Sequence, residues 1–338
     1  MKRSRKKWLW FFGPPLFVGV LAHWGFYFYI KGELDELIRL THPRFAIRYS
    51  DVTTNLSGRV EIAGIQVGGA GLARPLRIDQ LVAQGPNPVT YLWHNNPVAG
   101  VGPPAFLRLL ANGMELKLEE PRHPRGDGCD LSSGIPAQTL KRLGVESLKG
   151  GASAAYDYQA DFYRLEASAD LEISGIQNVK FKVRLQNVTP EGFRRAQLGA
   201  AALSELILTF DVQPTFGKRL VEYCAARRQI TPRAFERVLV RMILDEVEEL
   251  GVIPGPDLET ALEHYVQHWG TLEMSLLPEV PMNLAFIPFV PTEQLHSKLG
   301  FEMYVNGNPV SGLRLGKVKA ALDKDSTRPF PRARRFKP

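Results

Sequence analysis

Two histidines, His264 and His268, have the spacing that best suits metal chemistry. They lie four positions apart in a stretch predicted to be helical, so both imidazoles share one helix face and could ligate a metal together. The spacing differs from the H-E-x-x-H pattern of metalloproteases, and the sequence indicates no third ligand. Both fall on the side of the helix away from its apolar residues. We therefore interpret them as solvated surface residues and predict no metal site.

Short motifs of nucleophilic and phosphate chemistry are missing from the sequence. It contains no G-x-S-x-G elbow, no P-loop and no G-x-G-x-x-G. A Ser/His/Asp triad is recognised by geometry rather than spacing, so the sequence leaves that class open. We predict a protein that is not an enzyme, with no catalytic residues and no cofactor.

Cys129 and Cys224 are the two cysteines of the chain. Cys129 lies in a polar, Gly-rich stretch, which suits a disulfide that would close a loop of about 95 residues in an oxidising compartment. The alternative is two separate buried thiols, because cysteine packs as a small hydrophobe. The sequence leaves both interpretations open.

The net charge of +7 is concentrated at the two ends of the chain. Residues 1–7 carry five Lys/Arg, and the last 26 residues carry nine against two Asp, which leaves a mildly acidic body. Such a body lacks the basic face that binds phosphate backbones, so we predict no nucleic-acid partner. The tail at 323–338 is predicted to be disordered; it either contacts anionic lipid headgroups or serves as a solvated end.

Residues 8–30 form a stretch of 23 without Asp, Glu, Lys or Arg, bordered by Trp and Tyr. A helix of that length spans a bilayer core, and basic residues before it stay in the cytoplasm. We predict a cytoplasmic segment at 1–7, a transmembrane anchor at 8–30 that contacts the lipid bilayer, and an exported domain at 31–322. This places a single-pass protein in a bacterial inner membrane with its bulk in the periplasm. A cleaved signal peptide is disfavoured by the length of the run.

Beyond the anchor, apolar and polar residues alternate in many short runs, which predicts a mainly antiparallel sheet. Gly64 breaks the alternation and predicts a bulge or kink, the run around 283–289 predicts a strand, and Asn306-Gly307 predicts a hairpin. Apolar residues at i, i+3 and i+4 predict a three-helix insertion at about 217–270. The predicted fold class is therefore α+β, with an N-terminal transmembrane helix, a β-rich sheet and this helical insertion.

Two segments resemble each other, Val60 to Gln66 (VEIAGIQ) and Leu171 to Gln177 (LEISGIQ), and the similarity indicates either a repeat or shared strand preferences. Tyr49-Ser50-Asp51-Val52 and the Leu56-Ser57-Gly58 turn precede the first. This arrangement after an N-terminal span resembles the start of AsmA-like and DUF945-type bacterial envelope proteins, mainly over residues 1–70. The resemblance implies an elongated, curled sheet in the periplasm and a role in outer-membrane biogenesis or lipid movement. This chain is short and carries a helical insertion, which sets it apart from that pattern.

These observations lead to two functional hypotheses. The first is a non-enzymatic envelope protein whose β-rich body presents an apolar face to a phospholipid, a lipopolysaccharide or an envelope protein partner. The candidate lipid- or partner-facing residues are apolar strand positions, which could equally be core: Ile62, Ile65, Val67, Ile173 and Ile176. The second is a structural scaffold or assembly factor of a membrane protein complex that docks through its helical insertion.

Overall fold

The computed structural model describes residues 5–69, 72–92, 103–119, 128–129, 131, 134–194, 197–249 and 252–315. Fifteen strands occur in these ranges. They are β1 (Phe45–Arg48), β2 (Asp51–Asn55), β3 (Arg59–Gly69), β4 (Leu72–Gln84), β5 (Phe106–Lys117), β6 (Ser147–Gln159), β7 (Arg164–Ile173), β8 (Gln177–Gln186), β9 (Ala202–Val212), β10 (Val252–Ile253), β11 (Gly270–Leu276), β12 (Met282–Asn283), β13 (Phe301–Val305), β14 (Asn308–Pro309) and β15 (Arg314–Leu315).

The helices of the described ranges are mostly short, apart from the first and the three near residue 240. They are α1 (Arg5–Thr41), α2 (Val89–Leu92), α3 (Ala137–Arg142), α4 (Pro190–Arg194), α5 (Pro214–Arg227), α6 (Pro232–Glu249), α7 (Pro256–His268) and α8 (Thr292–Leu299). Three 3-10 turns lie at Ala160–Phe162, Leu198–Ala200 and Leu284–Phe289.

Thirteen strands form one sheet in the order β1-β3-β4-β5-β6-β7-β8-β9-β11-β13-β14, with β2 paired to β3 and β12 to β9. Every pair is antiparallel. Because consecutive strands run in opposite directions, their connections alternate between two ends of the sheet. We call the end that carries α3 and α5 to α7 the helical end. The end with the β2–β3 and β6–β7 hairpins is the hairpin end.

Gly64 lies inside β3 at a φ of +60°, where a Cβ atom would overlap the Ser50 hydroxyl. In the same region the register of β5 against β6 shifts between Ala111 and Met114. Cross-strand partners lie on the same face of a sheet. Because of this irregularity, Ile62 and Ile65 lie on one face of the sheet although they are three residues apart. Of the bulge or kink predicted at Gly64, the structure has the kink, because the residue is left-handed while the pairing of β3 with β4 keeps its register across it.

The second copy of the repeated sequence folds differently from the first. Gly175 has a φ of +72° in the tight turn between β7 and β8, whereas Gly64 lies within a single strand. Ile173 ends one strand, and Gln177 begins the next. The two segments are therefore not equivalent units of a structural repeat.

Helices α5, α6 and α7 cover one face of the sheet at the helical end. Their apolar residues form one buried core with the strands, led by Phe235, Leu258 and Leu262, each fully buried, and by Met303 of β13. The fit is close, because a Cβ atom on Gly217 would overlap the ring of Trp269. These helices occupy the region where the 3.6-residue periodicity predicted an insertion.

Cys129 and Cys224 form a disulfide with a Cα–Cα distance of 5.6 Å, and both are fully buried in this core. The bridge ties the connection between β5 and β6 to α5. The guanidinium of Arg228 donates to the Cys129 carbonyl at 2.9 Å, and the Thr139 hydroxyl donates to the Gly128 carbonyl. Of the two interpretations left open by the sequence, the structure has the disulfide.

The N-terminal helix α1 packs against the sheet at the hairpin end. Phe26 and Ile30 are buried on its inner side against Val52 and Val60. Farther along, its turns carry charged residues, including Glu33, Asp35, Glu36 and Arg39.

Within the described residues, no helix combines the length and the apolar character needed to cross a membrane. This finding corrects the predicted transmembrane anchor at 8–30, and with it the single-pass topology and the inner-membrane localisation. The apolar residues Phe26 and Ile30, which contributed to that prediction, are used in packing within the fold.

Two local predictions near the C-terminus had different outcomes. Asn306 and Gly307 form the turn between β13 and β14, as their sequence predicted. The strand predicted around 283–289 is wrong beyond Asn283, because Leu284–Phe289 is a 3-10 helix. The Ala285 amide of its first turn donates to the Asn283 side-chain oxygen. The basic tail at 323–338 and residues 1–4 lie outside the described residues.

Candidate functional site on the apolar face

One row of cross-strand partners runs through nine strands and is apolar at every position. Each residue pairs directly with the next, which places all of them on the same face of the sheet. The row consists of Val60, Ala83, Leu109, Ala154, Ala169, Phe181, Leu208, Met274 and Met303. We call the surface to which this row belongs the apolar face.

The two ends of this row are covered, and its middle is open. Val60 is 4% exposed beneath α1, and Met303 is 1% exposed beneath the three-helix layer. Between them, Leu109 is 38% exposed and Phe181 is 37% exposed. A second small core, with Tyr158, Leu165 and Leu185, covers the apolar face of the central strands toward the hairpin end.

The open part of the apolar face has small side chains between two larger ones. Ala154 and Ala169 form the floor between Leu109 on β5 and Phe181 on β8. Three strand spacings separate these walls, or about 14 Å along the sheet. From Ala167 to Leu171 the strand direction adds roughly 13 Å. We call this surface the alanine trough.

The opposite face of the same strands is charged. Glu166, Lys182, Arg184 and Glu205 form a continuous network of ion pairs on β7, β8 and β9. The shortest distances join Arg184 Nη1 to Glu205 Oε2 at 2.7 Å and Lys182 Nζ to Glu205 Oε1 at 3.0 Å. Since ionised groups stay on this side, the sheet separates a solvated face from the apolar one.

Tyr156 lies on the apolar face where the trough meets the small core. Its ring contacts Phe193 edge-on, with 5.2 Å between centroids. Burial raises the pKa of the Tyr156 phenol to about 12, so the group is neutral at any ordinary pH. The boundary of the trough therefore carries a phenol rather than a charge.

The five residues predicted to face a lipid or partner do not form one site. Ile62, Ile65 and Val67 lie on β3, while Ile173 and Ile176 lie at the β7–β8 turn, four strands away in the sheet.

Their environments are also mostly those of core residues. Ile62 packs in the cluster beneath α1, and Ile65 is buried. Val67 is half-buried between its partners Ile47 and Leu76. Ile173 and Ile176 pack into the core beneath the helices, and Ile176 is buried there.

The exposed apolar positions Leu109, Ala169, Leu171 and Phe181 were missed by sequence reasoning. The alternation of apolar and polar residues identifies their strands. The same alternation occurs in the covered and in the open parts of a face, so it does not distinguish them. The only signal that sets them apart is the run of small residues, Ala152 to Ala155 and Ala167 to Ala169, which leaves room above the sheet.

His264 and His268 are exposed on α7 and stack on each other, with 4.3 Å between ring centroids. His268 Nδ1 lies 3.0 Å from the His264 carbonyl oxygen, so this nitrogen is engaged by the helix backbone. Among the described residues, no group of three or more His, Cys, Asp or Glu is placed to hold a metal ion.

In comparisons with known proteins, no protein-family model matches the chain, and no curated protein is significantly similar to it.

Proposed function

We propose that this protein binds the acyl chains of a phospholipid or lipopolysaccharide in the alanine trough and carries out no catalysis. The observation that carries the proposal is the nine-strand apolar row, covered at Val60 and Met303 and open between Leu109 and Phe181. Soluble proteins seldom leave a continuous apolar surface of this kind open without a ligand or partner for it.

The chemistry of the trough suits a long apolar chain better than a small polar substrate. Its described lining is Leu, Ala, Phe, Val and Tyr, and the charged residues of the same strands lie on the opposite face. Binding to such a surface is favoured by about 0.8 kcal/mol for each methylene that it removes from water. The surface offers no charged group that would orient a polar ligand. A ligand of extended hydrocarbon therefore gains the most.

Two adjacent residues on β5 provide a matched test. Leu109 points into the trough, while Leu110 lies on the opposite face with a similar exposed fraction of 43%. Full-length Leu109→Asp and Leu110→Asp would be purified with the native protein, and bound lipids and proteins identified by mass spectrometry. We expect lipid on the native protein and on Leu110→Asp, and a several-fold loss on Leu109→Asp, because only this carboxylate enters the apolar surface.

The outcomes separate the proposal from the scaffold hypothesis. Equal lipid content in the two variants, or no enriched lipid on the native protein, contradicts acyl-chain binding. A protein that co-purifies at a fixed ratio in the absence of lipid supports a scaffold instead. Circular dichroism of both variants controls for unfolding, since each places a charge on the same strand.

A further inference from the structure

Four aromatic side chains project from the hairpin end of the sheet. Phe162 is 72% exposed and Tyr163 is about half exposed in the β6–β7 hairpin, while Phe286 and Phe289, on the 3-10 turn before α8, are 64% and 81% exposed. These fractions are well above those of the trough walls. We call these four residues the aromatic end.

The two segments that carry the aromatic end are held by one small core. The Val188 amide donates to the Tyr163 carbonyl at 2.8 Å, and the Leu284 amide donates to the Ala201 carbonyl at 2.9 Å. Leu284 and Ile287 point inward and pack in the cluster with Val188. Leu284 and Ile287 therefore occupy the inward-facing positions of the 3-10 turn. Phe286 and Phe289 are on its outer side and stay exposed to solvent.

A second exposed aromatic pair lies at the same end of the sheet. Trp24 and Phe28 are exposed on α1, with ring centroids 5.8 Å apart, where that helix packs near the β2–β3 hairpin. Of the large aromatic residues that are exposed in the described part of the chain, all lie at this end of the sheet except Phe181.

We propose that the aromatic end contacts a lipid surface, with its rings placed at the boundary between the headgroups and the acyl chains. Tyr163 has the amphipathic ring that is favoured near the headgroups, and the apolar Phe rings on protruding tips suit the boundary just below, whereas a protein interface concentrates its aromatics in packed pockets. The charged residues that lie near these segments in the sequence are of both signs, with Asp161 and Arg164 beside the hairpin and Glu279, Glu293 and Lys298 around the 3-10 segment. The surface therefore has no strong electrostatic preference. Contact of this kind needs no segment that crosses the bilayer.

The small core of Tyr158, Leu165 and Leu185 lies between the aromatic end and the alanine trough. Contact at the aromatic end thus places this small core between the lipid surface and the trough. The two surfaces use different residues, so the contact can be tested, and can fail, separately from acyl-chain binding.

The test is flotation of the full chain with vesicles of phosphatidylcholine, at low and high salt. The triple variant Phe162→Ser, Phe286→Ser, Phe289→Ser is compared with a control that changes exposed aliphatic residues elsewhere, Leu40→Ser, Leu72→Ser and Ile253→Ser. We expect the triple variant to partition at least about tenfold less than the native protein, and the control to match the native protein. The basic ends of the chain are unchanged in every variant.

Two results overturn the proposal. One is native-level flotation of the triple variant. The other is binding that requires anionic phosphatidylglycerol and disappears at high salt, since that behaviour belongs to basic segments. As a second readout, Phe289→Trp in vesicles of brominated phosphatidylcholine should show quenching beyond that of the native tryptophans. Absence of added quenching places position 289 outside the lipid and contradicts the contact.

Discussion

The apolar face has the same residue pattern under the helices and in the alanine trough, yet the two regions differ in what lies above them. Met274 and Met303 are covered by α5, α6 and α7, while Leu109 and Phe181, in the same cross-strand row, are more than a third exposed. Alternation in a strand therefore determines which side of a sheet is apolar, and the packing of other elements determines whether that side is core or open surface.

The comparison also explains why the two regions should respond differently to substitution. Beneath the helices, a lost side chain leaves a cavity among well-packed neighbours. In the trough, the same loss leaves a surface that water already reaches. Stability should thus depend on the first region and ligand binding on the second.

The largest expected effect is that of Phe235→Ala in α6. Phe235 is fully buried in the helical core, and its ring contacts the Arg228 guanidinium at 5.5 Å from the centroid. We expect a loss of about 3–5 kcal/mol in the free energy of unfolding, measured by urea denaturation. A loss below about 1 kcal/mol would show that the helical layer is loosely packed and would remove the contrast with the trough.

The disulfide should rank next. Cys129 and Cys224 are 95 residues apart in sequence, and the bridge attaches the β5–β6 connection to the covered region. The double variant Cys129→Ser, Cys224→Ser should lower the free energy of unfolding by roughly 2–5 kcal/mol. Thermal unfolding of the native protein with and without dithiothreitol provides the matched measurement. An unchanged midpoint in both would show that the bridge does not stabilise the helical layer.

Gly64→Ala should have an intermediate effect of about 1–2 kcal/mol. The residue has a positive φ, and an added methyl group meets the Ser50 side chain. The double variant Gly64→Ala, Ser50→Gly should recover the part of the loss that comes from overlap, leaving the backbone part. Full recovery would contradict a requirement for the left-handed conformation at this position.

Leu109→Ala and Phe181→Ala should cost only about 1 kcal/mol each, because both side chains already contact water. Their free energies of unfolding, measured alongside that of Phe235→Ala, test the contrast directly. A cost of 3 kcal/mol or more at either trough position would mean that this part of the face is core.

The smallest effect is expected for Tyr265→Phe, and only in alkali. Burial, followed by the charge of Asp211, raises the pKa of the Tyr265 phenol to about 12 from its ordinary value near 10. Between these values the unfolded chain loses the proton first, so stability should fall as pH rises from 10 to 12. Tyr265→Phe should match the native protein at pH 8 and lose less stability at pH 11 in urea titrations. Identical losses at pH 11 would place the alkaline sensitivity elsewhere.

Much of the fold was predictable from local pattern. The alternating strands, the helices with residues such as Phe235 and Leu239 at i and i+4, the turn at Asn306-Gly307 and the irregularity at Gly64 all follow from rules that act over a few residues. The 3-10 turn at Leu284–Phe289 was missed, because a run of apolar residues with an internal proline fits several short conformations.

The candidate site was harder to predict from the sequence than the fold. Ile62, Ile65, Val67, Ile173 and Ile176 were selected for their alternation, and they proved to be scattered and mainly buried or half-buried. The predicted anchor at 8–30 was wrong for a similar reason. An uncharged, apolar stretch suits both a bilayer and a protein core, and Phe26 and Ile30 pack against the sheet.

What the sequence by itself determined is most of the strands and helices, since strand alternation, helix periodicity and turn residues act through local sterics and solvation. It determined equally that one side of the sheet would be apolar and the other charged. Only the tertiary structure decided that Cys129 meets Cys224, that three helices cover Met303 and that Leu109 and Phe181 stay open. These outcomes depend on strand order and on contacts between distant segments, which residue spacing alone does not encode.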